Sequence, residues 1–600
     1  MRTVRYAAFA AAMLAPMLPL LDLRSSFYFD WYNSLWITGY FGEYAKGHLL
    51  APACINSFSA VGNPLPVFYG YLLYPLLGAL SAFLGAAIAL RIAVAFVIGL
   101  QFLSIYVACR KTLGDRGVSF AVSSSVIWSV YSLTNLYNRS AIPEFIACGL
   151  LFSAVAFAVA GASTGPQRQR LFYYWLAWVC AIFCLGSHPP TLVVAAAEFA
   201  LLAGLLVAGS FKRARRPAWA GASAVAAGLA ATAAILGPWI LATTRMRSQL
   251  ATTTSFSSTL MFLAERSDSL LGRLSPFSHD RLSIEKGTNV QTPYLEAPIN
   301  SALLLLVCFN LFLLIRSRRV PAPAAPRERT LWSSVCGCAL ALSLAAFAFV
   351  FSISVFPSLD RAIPLFGGLI QFAYRLVSHA NLALMLAVIA SGTWAADRGL
   401  YKRFPAHTAA AAAVCIMIAA AALCIKLGHG YAVRNEDASG LFGFSGGRTR
   451  LITEGNGWLD ALYATPGRVR ELSPEESAGA AQARFPVGTK GASFGEVGAL
   501  ELDLPKAQWA LTNVCVFPWN RVLVNGERWT GDRLARRGHL LAVYLPAGHS
   551  ALRFVWRPDP FWYAFHCVGR LAAGILLLAT CVWALVEFRS RRGPAGASGL

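Results

Sequence analysis

Charge is what this sequence has little of, and acidic charge least. Asp and Glu number 28 in 600 residues against 51 Lys and Arg, and charged residues make up 13% of the chain. A soluble protein carries about twice that fraction, so an ordinary soluble fold is excluded. Familiar catalytic signatures are missing too. There is no Walker A loop, no nucleophile-elbow serine and no His-Glu-x-x-His pair, which argues against ATP-driven transport and the common hydrolases. No internal repeat is visible. The 13 cysteines show no zinc-ligand spacing: Cys336-Gly337-Cys338 is too short and lies in an apolar run. Most others also sit in apolar runs, as small core residues do. Cys54 and Cys515 fall in more polar stretches, where pairing between them stays open.

What the chain does have is apolar length. Hydrophobic residues make up 57% and mean hydropathy is +0.55. Runs of ~17–25 apolar residues are long enough to cross a bilayer, and in lipid the backbone must satisfy itself, so the runs are helices. Spans are expected at 5–22, 86–109, 118–134, 141–161, 171–187, 190–209, 218–241, 299–316, 331–354, 379–396, 405–427 and 563–588. The first resembles a signal peptide, but no small-residue cleavage site follows, and it reads as a retained helix. Residues 66–85, with Pro75 and several Gly and Tyr, read as an interfacial or re-entrant helix rather than a crossing.

The net charge of +23 sits mainly in short loops: Arg110/Lys111/Arg116, Arg168/Arg170, Lys212–Arg216, Arg316–Arg329, Arg398–Arg403 and Arg589–Arg592. That is the pattern of orientation signals. It makes both termini cytoplasmic, and the basic, Ala/Arg-rich character fits a bacterial inner membrane. With no zinc finger, RNA-binding signature or basic stripe with interleaved aromatics, no nucleic-acid partner is expected. The opposite, outer face then carries loops 23–65, 242–298 and 355–378 and a long block at 428–562. That block alternates at Leu500–Leu504, runs apolar at 510–517, turns at Asn525-Gly526 and resumes at Leu540–Leu545 and Leu552–Trp556. It reads as a β-sandwich-like domain, approached by an irregular stretch at 428–495 and followed by a last helix and a cytoplasmic tail at 589–600. The expected fold is therefore a polytopic α-helical membrane protein of about twelve spans, with a C-terminal extracytoplasmic β-rich domain before the last helix.

The scarce polar residues gather on that outer face. Asp30-Trp-Tyr-Asn33, Glu43, Asn63 and Tyr69 combine acid with aromatics, as a sugar site does; an interfacial aromatic belt with a solvated acid has the same composition. Arg139 and Glu144 stand at the mouth of apolar helices, where they either face a polar cavity or lock to each other. His188 is suited to bind a hydroxyl, a phosphate or a metal, or to cap a helix. One His without evident partner ligands is thin support for a metal; a divalent ion stays open as cofactor and no other is expected. Arg375 and His379 share a helix face, and a guanidinium suits phosphate, although interfacial anchoring serves equally.

The order and spacing of these pieces resemble the YfhO-like bacterial membrane proteins, a related group labelled pyruvoyl-tetrahydropterin-synthase-related, and through them the GT-C superfamily of membrane glycosyltransferases. The resemblance runs along nearly the whole chain. It rests on Asp30 after the first helix, on Gly47, Asn56, Gly62, Pro64, Phe68 and Tyr69, and on Tyr137–Glu144. Ser187-His188, Gln371–Arg375, Val524-Asn-Gly526, Leu545–His549 and Phe554–Pro560 complete it. Departures are Asn33 where the family tends to place His, Ala53-Cys54 where it has Trp, and Ala373 where it has Pro; they bear on donor or acceptor rather than fold. The resemblance implies transfer of a sugar from a polyprenyl-phosphate donor to a glycan or lipid acceptor, with inversion and Asp30 as general base. Arg139 and Arg375 would neutralise the leaving phosphate; Glu144 and His188 would orient acceptor or base. A transporter of lipid-linked glycan and a non-catalytic envelope scaffold are the competing classes.

Overall fold

The computed structural model describes residues 2–22, 30–56, 60–188, 218–246, 298–317, 328–352, 375–428, 469–486 and 495–591, together with Phe27, Thr191, Val194, Ala195, Glu198 and Thr465. It is mostly helical. Eight helices are long and apolar enough to cross a membrane: Ala86–Thr112, Arg116–Asn138, Ile142–Ala162, Gln167–Ser187, Ala226–Met246, Leu376–Asp397, Pro405–Gly428 and Pro560–Ser590. Each falls on an expected span. Tyr6–Leu21, Ser301–Ser317 and Gly337–Phe349 are shorter apolar helices at three further expected positions. The expected span at 190–209 lies outside the described residues, apart from the four named above, and so do residues 242–298 and 355–378 for the most part.

In chain order the first helices are α1 (Arg2–Leu14), α2 (Asp30–Ala45), α3 (Leu65–Phe68), α4 (Leu73–Leu84), α5 (Ala86–Thr112), α6 (Arg116–Ile127), α7 (Val130–Leu133), α8 (Ile142–Ala162) and α9 (Gln167–Ser187). Helix α4 has 12 residues. At 1.5 Å per residue it spans roughly 18 Å, too little for a hydrocarbon core of about 30 Å. The stretch 66–85 is thus two short helices with a break between them, where the sequence led to one interfacial or re-entrant helix.

Tight connections fix the directions of the spans. Gly114 turns the chain at φ +72°, and Asp115 then caps α6, its Oδ1 accepting from Val118 N at 2.9 Å. Connections at 113–115, 139–141 and 163–166 are each a few residues long, so α5, the 116–138 segment, α8 and α9 alternate in direction. Arg110, Lys111, Arg168 and Arg170 therefore share one end of the bundle. Arg139, the start of α8 and His188 share the other.

Two four-stranded sheets lie at that second end. The strands are β1 (Ala481–Ala483), β2 (Gly495–Leu504), β3 (Gln508–Cys515), β4 (Asn520–Val524), β5 (Glu527–Arg528), β6 (Leu534–Arg537), β7 (Leu540–Leu545) and β8 (Gly548–Trp556). Their orders are β1-β3-β7-β6 and β2-β8-β4-β5. Both contribute to one apolar cluster that includes Val514 and Val543 from the first and Val522 and Phe554 from the second. The expected Asn-Gly turn joins β4 to β5, with φ +51° at Asn525 and +86° at Gly526, the left-handed pair that a two-residue hairpin turn needs. Residues 429–464 lie outside the described residues. The remainder of the expected irregular approach includes the helix Pro474–Ala478, closed by a Ser473/Glu476 capping box, and β1.

The first polar loop is stitched to these sheets. Val61 N donates to Asn513 O at 2.6 Å, Cys515 N to Val61 O at 2.9 Å, and Asn520 Nδ2 to Gly62 O at 2.9 Å. Aromatic rings continue the contact toward the bundle: Phe68 meets Phe517, and Trp519 meets Trp556 and Trp562. Cys54 and Cys515 are both buried.

Candidate functional site

The site is built around one carboxylate. The 116–138 segment ends in a π-helical turn, Thr134–Asn138, and Arg139 N bonds Thr134 O at 2.8 Å. Such wide turns recur at functional sites. Ser140 then takes φ +52°, uncommon for a residue other than glycine, and Pro143 stands in the first turn of α8. This reversal folds Arg139 back over Glu144, which stands in the first turn of α8, where the helix dipole favours a negative charge.

Arg139 Nη1 donates to Glu144 Oε2 at 2.6 Å and to Asn135 Oδ1 at 3.1 Å. Arg375, at the start of the helix Leu376–Asp397, brings Nε within 2.9 Å of the same Glu144 oxygen. The other oxygen, Oε1, accepts from Tyr131 OH at 3.3 Å and from Asn135 Nδ2 at 3.4 Å. Glu144 and Arg139 are 2% and 5% exposed at their side chains, so this is no solvated surface pair. Two guanidiniums thus meet at one carboxylate oxygen.

His188 closes the cluster from the end of α9. Its Nε2 lies 3.9 Å from Glu144 Oε2, and its Nδ1 is 2.8 Å from Thr191 Oγ1. Tyr69, in the break between α3 and α4, sets its ring edge-on at 5.8 Å. Burial holds the His188 imidazole well below its ordinary value; Glu144 opposes this, while Arg375, Arg139 and His379 add to it. His379 Nδ1 lies 2.9 Å from Glu198 Oε2. Glu144, Thr191, Arg375 and His379 line one small cavity. Beside it a second cavity is lined by apolar side chains, among them Val126, Phe145 and Phe152, and by neutral polar ones, among them Tyr131, Asn135, Asn300 and Asn381.

Of the residues singled out in the sequence, Arg139, Glu144, His188 and Arg375 thus converge, with Tyr69 and His379 on the margin. Two others lie elsewhere. Glu43 pairs with Lys46 at 2.7 Å on the last turn of α2. Asn63 is buried, pairs its backbone with Ile55, and accepts from Leu65 N at 2.9 Å, which sets the entry to α3. Asp30 opens α2, but its side chain lies outside the described residues. Tyr131, Asn135, Thr191 and Glu198 were not singled out. For Glu198 a signal existed, since an acid inside an apolar run is costly. Among the described residues no three His, Cys, Asp or Glu side chains gather closely enough to hold a metal ion.

Comparison of the chain with protein-family models, with curated proteins and with solved structures finds no match.

Proposed function

We propose that this chain is an inverting GT-C-type membrane glycosyltransferase. It moves a hexose from a polyprenyl-phosphate donor to a glycan or lipid acceptor on the outer face of a bacterial inner membrane. The observation that carries this reading is the convergence of Arg139 and Arg375 on buried Glu144 at the end of the bundle away from the basic loops. Guanidinium forks match phosphate oxygens, and a site among span ends can receive a lipid-borne phosphate at the membrane boundary. As the sugar's C1–O bond breaks, its electron pair passes to the phosphate, and the two guanidiniums offset the charge that develops there. Asp30, opening α2, is the base proposed to take the proton from the acceptor hydroxyl, which attacks opposite the phosphate and so inverts the anomeric centre. The neutral cavity beside Tyr131 and Asn135 suits uncharged hydroxyls. About twelve spans and a β-sandwich-like outer domain that helps hold the acceptor belong to the same reading.

A transporter would place its ionisable groups near the bilayer midplane; Glu144 stands in the first turn of its helix. A scaffold that only holds an envelope partner has no need of Arg375. The test is sugar transfer from radiolabelled polyprenyl-phosphate hexoses to an envelope glycan extract by the full chain in lipid. Arg375→Met lowers kcat by about 10²–10³, the usual cost of one lost charge-stabilising donor, and Asp30→Asn abolishes transfer. Donor translocation without transfer supports the transporter instead. Unchanged activity in both variants removes the site assignment.

A further inference from the structure

We infer that Arg570, His566 and Tyr71 form a second anion site, separate from the Glu144 cluster, that holds the phosphodiester of a phospholipid at the membrane boundary on the side of the sheets. The site does not depend on the glycosyltransferase reading.

Hydrogen-bond donors meet here without acceptors. Arg570 lies on the last helix, Pro560–Arg591, and Tyr71 in the break between α3 and α4. The guanidinium stands over the Tyr71 ring at 4.0 Å, and its Nη1 donates to Tyr71 O. Its Nε and Nη2 are buried and have no partner among the described residues, and neither has the Tyr71 hydroxyl. His566 precedes Arg570 by one helical turn, on the same face, and is 1% exposed. Both of its ring nitrogens also lack a partner, and in either tautomer one of them carries a hydrogen to donate. Buried polar groups are nearly always paired, and a guanidinium stays charged in a protein. One carbonyl and one ring face leave two of its nitrogens unanswered, and no carboxylate is among the groups that act on it. An anion with several acceptor oxygens answers all three side chains at once.

Packing fixes these groups in place. Trp562 Nε1 donates to Pro238 O at 2.8 Å, and its ring stacks on His566 at 4.8 Å. The Tyr71 ring meets His566 edge-on at 5.6 Å. Gly569 brings the last helix so close to the helix Ala218–Met246 that a Cβ there would lie 2.7 Å from Ala234 O. The other side of the last helix is apolar, with Val568, Leu571, Ile575 and Leu578 between 56% and 67% exposed. Arg570 is partly exposed, at the edge between the two sides. A hydrocarbon core takes about 20 residues of helix. Counted back from Glu587, the first acid at the far end, its boundary falls near Cys567, within a turn of both His566 and Arg570. Phospholipid phosphates lie at that level, and the chains of such a lipid would run along the exposed apolar side. The turn that carries Tyr71 also carries Tyr69, whose ring meets His188, so the two clusters share a wall but no side chain.

The probe is dioleoyl phosphatidylglycerol, titrated into the delipidated full chain in a neutral detergent and read by native mass spectrometry as the fraction of chains that carry lipid. Phosphatidylcholine, whose ammonium offsets the phosphate charge, is the control. Glycerophosphoglycerol, the same headgroup without chains, is the competitor. The wild type is expected to bind phosphatidylglycerol about tenfold more tightly than Arg570→Met, the scale of a lost charge-assisted hydrogen bond. Arg570→Lys, which keeps the charge and loses the fork, falls between the two. Tyr71→Phe removes a hydroxyl that has no partner in the fold, so its thermal midpoint without lipid stays that of the wild type while its affinity drops about threefold. That variant decides alone if Arg570→Met does not fold. Equal affinity in the wild type and Tyr71→Phe overturns the site, and so does phosphatidylcholine bound as tightly as phosphatidylglycerol. Displacement of the lipid by an equal concentration of glycerophosphoglycerol makes it a site for free phosphate esters and overturns the lipid assignment.

Discussion

Arg375 Nε lies 2.9 Å from Glu144 Oε2, and this contact ties the helix Leu376–Asp397 to the first turn of α8. Because Arg139 holds the same oxygen, Glu144 is a partner that both guanidiniums share. Removing one member of a buried charge cluster leaves the others uncompensated, at about 3–5 kcal/mol. Glu144→Gln should therefore destabilise the chain by about that amount, read as a lower midpoint of thermal unfolding in lipid. A loss below about 1 kcal/mol, the range of exposed pairs, would mean that water already screens the two arginines.

Arg139, Glu144, His188 and Arg375 were legible in the sequence because polar side chains at the mouths of apolar runs are costly and scarce. The long spans were legible for a related reason: runs such as Ile142–Ala162 and Pro405–Gly428 leave the backbone no choice but helix. The Asn525-Gly526 turn could be read because only a few residue types accept its left-handed dihedrals. Glu198 escaped because one acid among some twenty apolar residues was absorbed into a span. Tyr131 and Asn135 escaped for another reason. Their partner is set by the π-helical turn, which has no composition signature. The pairing of Val61 with Val514 escaped too, since a single extended residue in a loop carries no period to read.

His188 gives the cluster a pH dependence. Its imidazole is held below the ordinary value of about 6.5 in the folded chain. Unfolding exposes it, so below that pH the unfolded chain binds more protons than the folded one, and stability rises with pH there. The contribution is fully present above about pH 6.5 and is lost as pH falls. Thermal midpoints should thus drop on acidification, and His188→Gln should drop less steeply while starting lower. Parallel slopes for the two proteins would show that His188 is protonated in the fold.

Gly62 tests the seam between the first polar loop and the sheets. It has φ +72°, and a Cβ there would come within 2.5 Å of both Asn520 Oδ1 and Phe554 Cζ. Gly62→Ala should strain the backbone and displace the Asn520 amide from Gly62 O and Cys515 O, its two acceptors. A cost of about 1–3 kcal/mol is expected, seen as faster proteolysis of the 469–556 region. Asn520→Ala, which clears the space but loses both bonds, should have a similar effect. Protection equal to wild type in both variants would mean that the loop does not hold the sheets.

The last prediction concerns sidedness. If the break between α3 and α4 turns the chain back without crossing, Lys46 and the β4–β5 turn at Gly526 lie on the same side of the membrane. Gly114 and Gly399, beside the basic loops, lie on the other. At each glycine a Cβ meets nothing within 4 Å, so the cost of a cysteine there is the backbone strain of its positive φ alone, and the side chain of Lys46 is half exposed. Single cysteines would be placed there in a background with the exposed Cys308, Cys424 and Cys581 replaced. An impermeant maleimide on intact cells stripped of their outer membrane should label positions 46 and 526, and reach 114 and 399 only after permeabilisation. Labelling of 46 together with 114 would make residues 66–85 a crossing. That would put α2, and Asp30 with it, beside the basic loops and away from Arg375.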